Sequence, residues 1–163
     1  AQGMWLDMDW GDYPWVTSSN TLPYAACSLG FPTSKIRQTV GVVKAYDTRS
    51  GNDPLFPESL LKDPELSKIG DIGKEYGVTT GRRRKVNWLN LDLLRKAVEI
   101  TGPTQIIVNK VDVLEEIGIY KIIVDGEIKQ FINWDDMADF ISKDLVRRDV
   151  DTIWFSRDPE EII

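Results

Sequence analysis

The sequence predicts an α/β fold: a mixed, mainly parallel sheet flanked by helices. Three observations lead there. Apolar runs of strand length alternate with stretches of helical period over the second half of the chain. Turn signals, Gly102-Pro103 and Asp125-Gly126, fall between them. No internal repeat, low-complexity tract or linker divides the 163 residues, which are enough for one domain with a sizeable core.

Taken in order, residues 1–32 are rich in Gly, Pro, Asp, Ser, Thr and aromatics without sustained periodicity, and read as ordered loops around short elements. Thr39-Val-Gly-Val-Val-Lys-Ala-Tyr46 reads as one buried strand. A polar Gly/Pro segment, 49–54, precedes a short helix near Glu58–Lys62, and 67–85 is punctuated by glycines. Leu91, Leu94, Ala97 and Val98 share one helical face, and Gly102-Pro103 ends that helix. Gln105–Val108 is a strand; Tyr120–Val124 and Glu127–Phe131 pair as a hairpin about a type I′ turn at Asp125-Gly126. Asn133 caps a helix whose apolar face is Trp134, Met137, Ala138, Ile141 and Leu145, and Thr152–Phe155 is a last strand.

Composition narrows the chemistry. Apolar residues make up 42% and charged residues 28%, the balance of a globular protein, and no run suits a membrane span or signal peptide. A net charge of −6 argues against general nucleic-acid binding. The single cysteine, Cys27, excludes an intramolecular disulfide framework and suits the cytoplasm. Histidine is absent, which removes a self-contained His-based hydrolase or zinc site. The chain opens with Ala1-Gln2-Gly3 rather than Met, with chemistry-bearing residues at once, so it reads as the C-terminal portion of a longer domain.

Three constellations could carry chemistry. In Gly77-Val-Thr-Thr-Gly-Arg-Arg-Arg-Lys85, glycines bracket two hydroxyls beside four cations in a predicted loop. Guanidinium groups bind carboxylates and phosphates through paired charge-assisted hydrogen bonds, and hydroxyls with backbone N–H groups complete an anion cradle. The competing reading is a solvated basic loop. In Gln105-Ile-Ile-Val-Asn-Lys-Val-Asp112 a strand runs into N-K-x-D. At a strand's carboxyl end, where α/β folds gather ligands, Asp112 can accept from guanine N1–H and the 2-amino group while the Lys110 stem packs along the base. A strand end with solvated charges is the alternative. The opening segment through Asp9-Trp-Gly-Asp-Tyr-Pro-Trp-Val-Thr-Ser-Ser-Asn20 offers hydroxyls and amides to a phosphate or purine edge, or is a structural loop whose side chains satisfy backbone groups.

In sequence order, these segments resemble the adenylosuccinate synthetase family. The resemblance rests on Ala1-Gln-Gly3 with Tyr13-Pro-Trp-Val-Thr-Ser-Ser-Asn-Thr21, on Gly41-Val-Val-Lys-Ala-Tyr-Asp-Thr-Arg-Ser-Gly51, on Gly77–Lys85 with Trp88-Leu89-Asn90, and on Asn109-Lys-Val-Asp-Val-Leu-Glu115. It implies the C-terminal part of that family's α/β fold. The implied reaction has two steps. A purine nucleotide loses its N1 proton and its 6-oxygen takes the γ-phosphoryl group of a nucleoside triphosphate; the amine of L-aspartate then displaces the phosphate. It further implies that Gln2, Thr17 and Arg82 contact the substrate nucleotide, with Thr17 near its 5′-phosphate. The aspartate site is implied to be Val78, Thr79, Thr80, Arg82 and Arg84, and the donor-base site Lys110, Asp112 and, more weakly, Ser156, because Ser156-Arg-Asp-Pro159 lacks the family's glycine. The family's phosphate loop, catalytic Asp and His, and Mg2+ ligands are expected upstream. The chain alone is therefore expected to be inactive, and the complete enzyme a cytoplasmic homodimer.

Three departures bear on the substrate. Leu22-Pro-Tyr-Ala-Ala26 replaces a T-A-G-G stretch, Ser50–Glu58 departs from the segment beside the nucleotide sugar, and the chain beyond Asp112 is short. The shortening resembles archaeal forms and the viral branch, 2-amino-2′-deoxyadenylosuccinate synthases, and the changes beside the sugar fit a deoxynucleotide, so dGMP is the expected substrate with GTP, ATP or dATP as donor. IMP with GTP is the alternative within the family. A GTPase-like binding module built on N-K-V-D is the alternative of another class, though no G-x-x-x-x-G-K-[ST] loop occurs.

Overall fold

The computed structural model describes residues 3–78 and 81–158. Among these described residues, seven strands form two sheets. β1 (Val40–Lys44), β4 (Gln105–Asn109) and β7 (Thr152–Phe155) make a parallel sheet in the order β1-β4-β7. β2 (Tyr46–Arg49), β3 (Lys85–Asn90), β5 (Tyr120–Val124) and β6 (Glu127–Phe131) make a mixed sheet, parallel only at β3–β5. The helices are α1 (Ala25–Ser28), α2 (Pro64–Ile72), α3 (Leu91–Thr101), α4 (Val111–Ile117) and α5 (Trp134–Val146). None is long and apolar enough to cross a membrane. The mixed, mainly parallel α/β expectation holds, divided over two sheets rather than one.

Local signals account for the element ends. Gly102 closes α3 at φ 54°, the left-handed conformation that glycine adopts without a Cβ penalty. Asp125 and Gly126 both have positive φ, as a type I′ turn requires. The Asn133 side chain accepts from Asp136 N–H at 2.8 Å, and all five predicted apolar residues of α5 are buried. Arg95 then ties α3 to α5 and to the hairpin turn, through Asp144 at 2.7 Å and Asp125 at 3.0 Å.

Two expectations need correction. The predicted strand 39–46 is not one buried strand: it breaks at buried Ala45, and its two halves join different sheets. Its first half is an edge strand with Val42 65% exposed. An apolar run shows that a strand is favoured, not which of its faces is covered. The glycine-punctuated stretch 67–85, in turn, contains most of α2 and the first residue of β3. Asp63 caps α2 by accepting from the N–H groups of Glu65 and Leu66 at 2.9 and 3.0 Å, with Pro64 at the first helical position.

Candidate functional site

Parallel pairing brings the carboxyl ends of β1, β4 and β7 to one edge of their sheet. There Ala45 N–H donates to Asn109 O at 2.8 Å, Ser156 N–H to Val108 O at 2.8 Å, and Val111 N–H to Ser156 O at 3.3 Å. Lys110, Asp112 and Ser156, 46 positions apart from first to last, are thus neighbours. Lys110 sits at φ 64° and leads into α4. That conformation costs a residue with a Cβ about 1–2 kcal/mol and concentrates at ligand sites. Asp112 lies exposed in the first turn of α4. The Ser156 hydroxyl donates to Asp158 O at 2.7 Å. Asn109 Oδ1, quoted in the motif but given no role, is buried without a hydrogen-bond partner among the described residues.

The four cations of the glycine-bracketed block sort by their partners. Arg83 Nη2 donates to Ser67 O at 2.7 Å and pairs with Asp71 at 2.8 Å, fastening the block to α2. Lys85 is buried and pairs with Glu58 at 2.6 Å. Compensating acids, absent from the block itself, are therefore supplied by distant segments, and Lys85 belongs to β3 rather than to the loop. Arg84 turns instead to Glu75, while the Arg82 charge joins the hydrogen bond and charge of Lys85 in holding the Glu58 carboxyl below its usual range. The turn between these two arginines and Tyr76 is closed by Gly77 N–H donating to Arg82 O and Gly81 N–H to Gly77 O, both at 2.8 Å, with Gly81 at φ 62°. Val78, at its tip, is 98% exposed. Thr79, Thr80 and Gln2 lie outside the described residues.

Arg84 is oriented by a residue that sequence reasoning passed over. Glu75 is 2% exposed. Its Oε1 accepts from Lys44 Nζ at 2.7 Å and Tyr46 OH at 2.9 Å, and its Oε2 from Arg84 Nη1 at 3.0 Å. Burial opposes ionisation of Glu75, but the hydrogen bonds from Lys44, Tyr46 and Arg84, with the charge on Lys44, hold its carboxyl below the usual range. Lys44 is pulled down by burial, with Glu75 opposing the shift and the charges of Arg84 and Lys110 adding to it. Nothing in the glycine-punctuated stretch 67–85 signals the burial of Glu75, which depends on Lys44 at the end of β1, Tyr46 in β2 and Arg84 closing on its carboxylate.

Arg84 also lines a cleft of about 890 Å³ between the opening segment, β2 and α3, bounded by Gly3, Asp12, Thr21, Asp47 and Arg49. Thr17 and Arg82 do not line it. Burial pushes the Asp47 carboxyl up to about 7, against the Asn90 amide and the Lys44 charge. Arg49 is buried, pairs with Asp53 at 2.9 Å and donates to Trp15 O, fixing the opening segment to β2.

Within the opening segment, Thr17 N–H donates to Leu6 O at 2.8 Å, and fully buried Asp7 organises the rest. The Asp7 carboxylate accepts from the N–H groups of Asp9, Trp10 and Thr21 and from Tyr24 OH. Burial would raise its pKa, but these hydrogen bonds outweigh it and hold the group at about 2. A carboxyl depressed in the folded state adds stability that is complete above its ordinary pKa of about 3.9 and is lost as pH falls toward the folded value. Melts of wild type and Asp7→Asn between about pH 5 and pH 2 should therefore show the wild type losing more stability on acidification. Parallel acid limbs would remove Asp7 from this role.

Comparisons with known proteins agree with these motifs. A family model described as adenylosuccinate synthetase matches residues 1–143. The chain is 47% identical over 125 residues to adenylosuccinate synthetase of Caenorhabditis briggsae, covering 76% of this chain and 28% of that enzyme. It is 44% identical over 128 residues to that of Petrotoga mobilis, covering 78% and 30%. Among solved structures, the fully ligated adenylosuccinate synthetase of Plasmodium falciparum superposes with a TM-score of 0.79 at 26% identity, covering 98% of this chain and 47% of that one. The succinoaminodeoxyadenylate synthetase of cyanophage S-2L, bound to dGMP and dATP, gives 0.65 at 17% identity, covering 100% and 44%, a likeness of fold alone. The chain thus spans less than a third of the length of these curated relatives. With the family model matched across most of the sequence, and with relatives above 40% identity over three quarters of it, the chain belongs to the adenylosuccinate synthetase family.

Proposed function

We propose that this chain supplies the aspartate-binding and donor-base-binding part of an adenylosuccinate synthetase that joins L-aspartate to IMP at the expense of GTP. The carrying observation is the sorting of the cation block. Arg83, Lys85 and Arg84 are all ion-paired to the chain's own acids, but Arg84 meets Glu75 through Nη1 alone and keeps Nε and Nη2 without a hydrogen-bond partner among the described residues. Such an edge matches a carboxylate. Arg84 with Thr80 holds the aspartate carboxylates, Val78 and Thr79 shape that loop, and Arg82 reaches both aspartate and nucleotide. Thr17 and Gln2 serve the substrate nucleotide. Asp112 takes the guanine edge, with the Lys110 stem along the base and Ser156 beside it. Among the described residues, there is no group of three or more His, Cys, Asp or Glu side chains that could hold a metal ion. The phosphate loop, catalytic Asp and His, and Mg2+ ligands are assigned to the part of the family's length outside this match, and the complete enzyme is taken to be a homodimer.

IMP is preferred to the dGMP expected from the three sequence departures. The relatives at 44–47% identity are adenylosuccinate synthetases, and the cyanophage likeness, at 17%, supports the fold only. Relative to IMP, dGMP adds a 2-amino donor and lacks the 2′-hydroxyl. Unpaired groups at those positions cost about 1–3 kcal/mol each. The full-length enzyme is therefore expected to favour IMP in kcat/KM by roughly one to two decades in direct competition. A higher value for dGMP would restore the viral reading. No aspartate-dependent turnover of either nucleotide would remove the ligase reading itself.

A further inference from the structure

We infer that Glu75 is the positioning residue of the aspartate site: a buried carboxylate that fixes the Arg84 guanidinium so that its Nε–Nη2 edge faces the substrate. The inference rests on the assignment of Arg84 to aspartate binding. Both Glu75 oxygens are taken by protein donors, Lys44 and Tyr46 on Oε1 and Arg84 on Oε2, so Glu75 has no role as a substrate ligand. It is also fixed at its backbone, where its N–H donates to Gly70 O and its carbonyl accepts from Arg84 N–H, each at 2.9 Å.

The approach is built into the chain. Gly73 ends α2 where an added Cβ would lie 2.3 Å from Tyr46 Oη. Lys74 follows at φ 52° and turns Glu75 inward. Tyr46 is itself a core residue, 1% exposed, so the hydroxyl that holds Oε1 cannot swing away. With Oε2 anchored, Arg84 Nη1 is committed. An arginine meets a carboxylate either through its two Nη groups or through Nε and Nη2, and the second edge is the one whose two nitrogens make no other hydrogen bond among the described residues. Arg84 is 31% exposed at its side chain and lines the cleft, so that edge is reachable.

Charge points the same way. Glu75 is a single anion between Lys44 and Arg84, which leaves the cluster one positive charge in excess. An incoming carboxylate on the open side of Arg84 balances that excess in a partly desolvated setting, where the interaction is stronger than in water.

The test uses the full-length enzyme. In Glu75→Gln an amide N–H₂ must face donors on one side or the other, so Arg84 loses its fixed orientation. The aspartate KM is expected to rise about ten- to a hundred-fold, with kcat and both nucleotide KM values within about threefold of wild type. In an Arg84→Ala background the same change should add less than about twofold, since a residue acting through Arg84 has nothing left to orient. Glu75→Asp keeps the charge that compensates Lys44, and with it the fold, but draws the carboxylate back from Arg84. It should raise the aspartate KM severalfold with Tm near wild type, and it decides the matter should Glu75→Gln not fold. An unchanged aspartate KM in both Glu75 variants, or an effect that multiplies in full with Arg84→Ala, overturns the inference while leaving the Arg84 assignment intact. Aspartate kinetics indifferent to Arg84→Ala overturn both.

Discussion

Arg84→Ala in the full-length enzyme is expected to raise the aspartate KM by roughly thirty- to a thousand-fold, with donor KM nearly unchanged. Truncating one partner of a hydrogen-bonded charge pair costs about 2–5 kcal/mol, and every 1.4 kcal/mol is a factor of ten. The upper end is discounted because the Arg84 side chain is 31% exposed. Donor binding is spared because Arg84 donates to Glu75 and makes no hydrogen bond or ion pair with Lys110 or Asp112 among the described residues, although all three stand near the Lys44–Tyr46 pair. Arg83→Ala is the contrasting variant. Its guanidinium serves Ser67 O and Asp71, so the change should lower Tm while leaving aspartate kinetics within about threefold of wild type. An Arg83 effect on aspartate equal to that of Arg84 would mean that their partners do not sort these cations, and the site assignment would fall with it.

The contrast between these adjacent arginines marks where the sequence was legible. The sequence shows the cations of the block as a loop cluster, but nothing local tells that Asp71 meets Arg83, Glu58 meets Lys85 and Glu75 meets Arg84. Elements whose ends depend on one or two residues were readable: the Gly102 stop, the Asp125-Gly126 turn, the Asn133 cap and the face of α5. So was the convergence at the parallel strand ends, because N-K-x-D directly follows a strand. What escaped were features fixed by distant packing: the change of sheet at Ala45, the start of β3 inside a cationic block, and the burial of Glu75. α2 is a different case. Its Asp63-Pro64 cap was present in the sequence as a local signal, and the glycines that follow it drew the reading toward a loop.

Gly11→Ala should be the most damaging single-methyl change in the opening segment. An added Cβ would lie 2.5 Å from Asp7 O, 2.6 Å from Trp5 O and 2.8 Å from Val16 Cγ1. Two of these are backbone carbonyls, which cannot rotate aside as a side-chain end could. The backbone around them is also held, since Gly11 N–H donates to Asp7 O at 2.8 Å, the Asp7 carboxylate gathers the N–H groups of Asp9, Trp10 and Thr21, and Arg49 grips Trp15 O from β2. Overpacking against a fixed surround costs typically 1–3 kcal/mol, and here about 3 kcal/mol is expected. For a domain of this size that is roughly 6–12 °C in Tm. Thr17 belongs to the same knot through its bond to Leu6 O, so the KM for the substrate nucleotide should rise as Tm falls, with the aspartate KM less affected. Gly3→Ala is the control: no atom lies within 4 Å of its added Cβ, and its φ of −73° suits any residue. A Tm drop for Gly11→Ala no greater than that of Gly3→Ala would mean that the segment shifts freely, and Thr17 would then lose the fixed position its proposed contact with the 5′-phosphate requires.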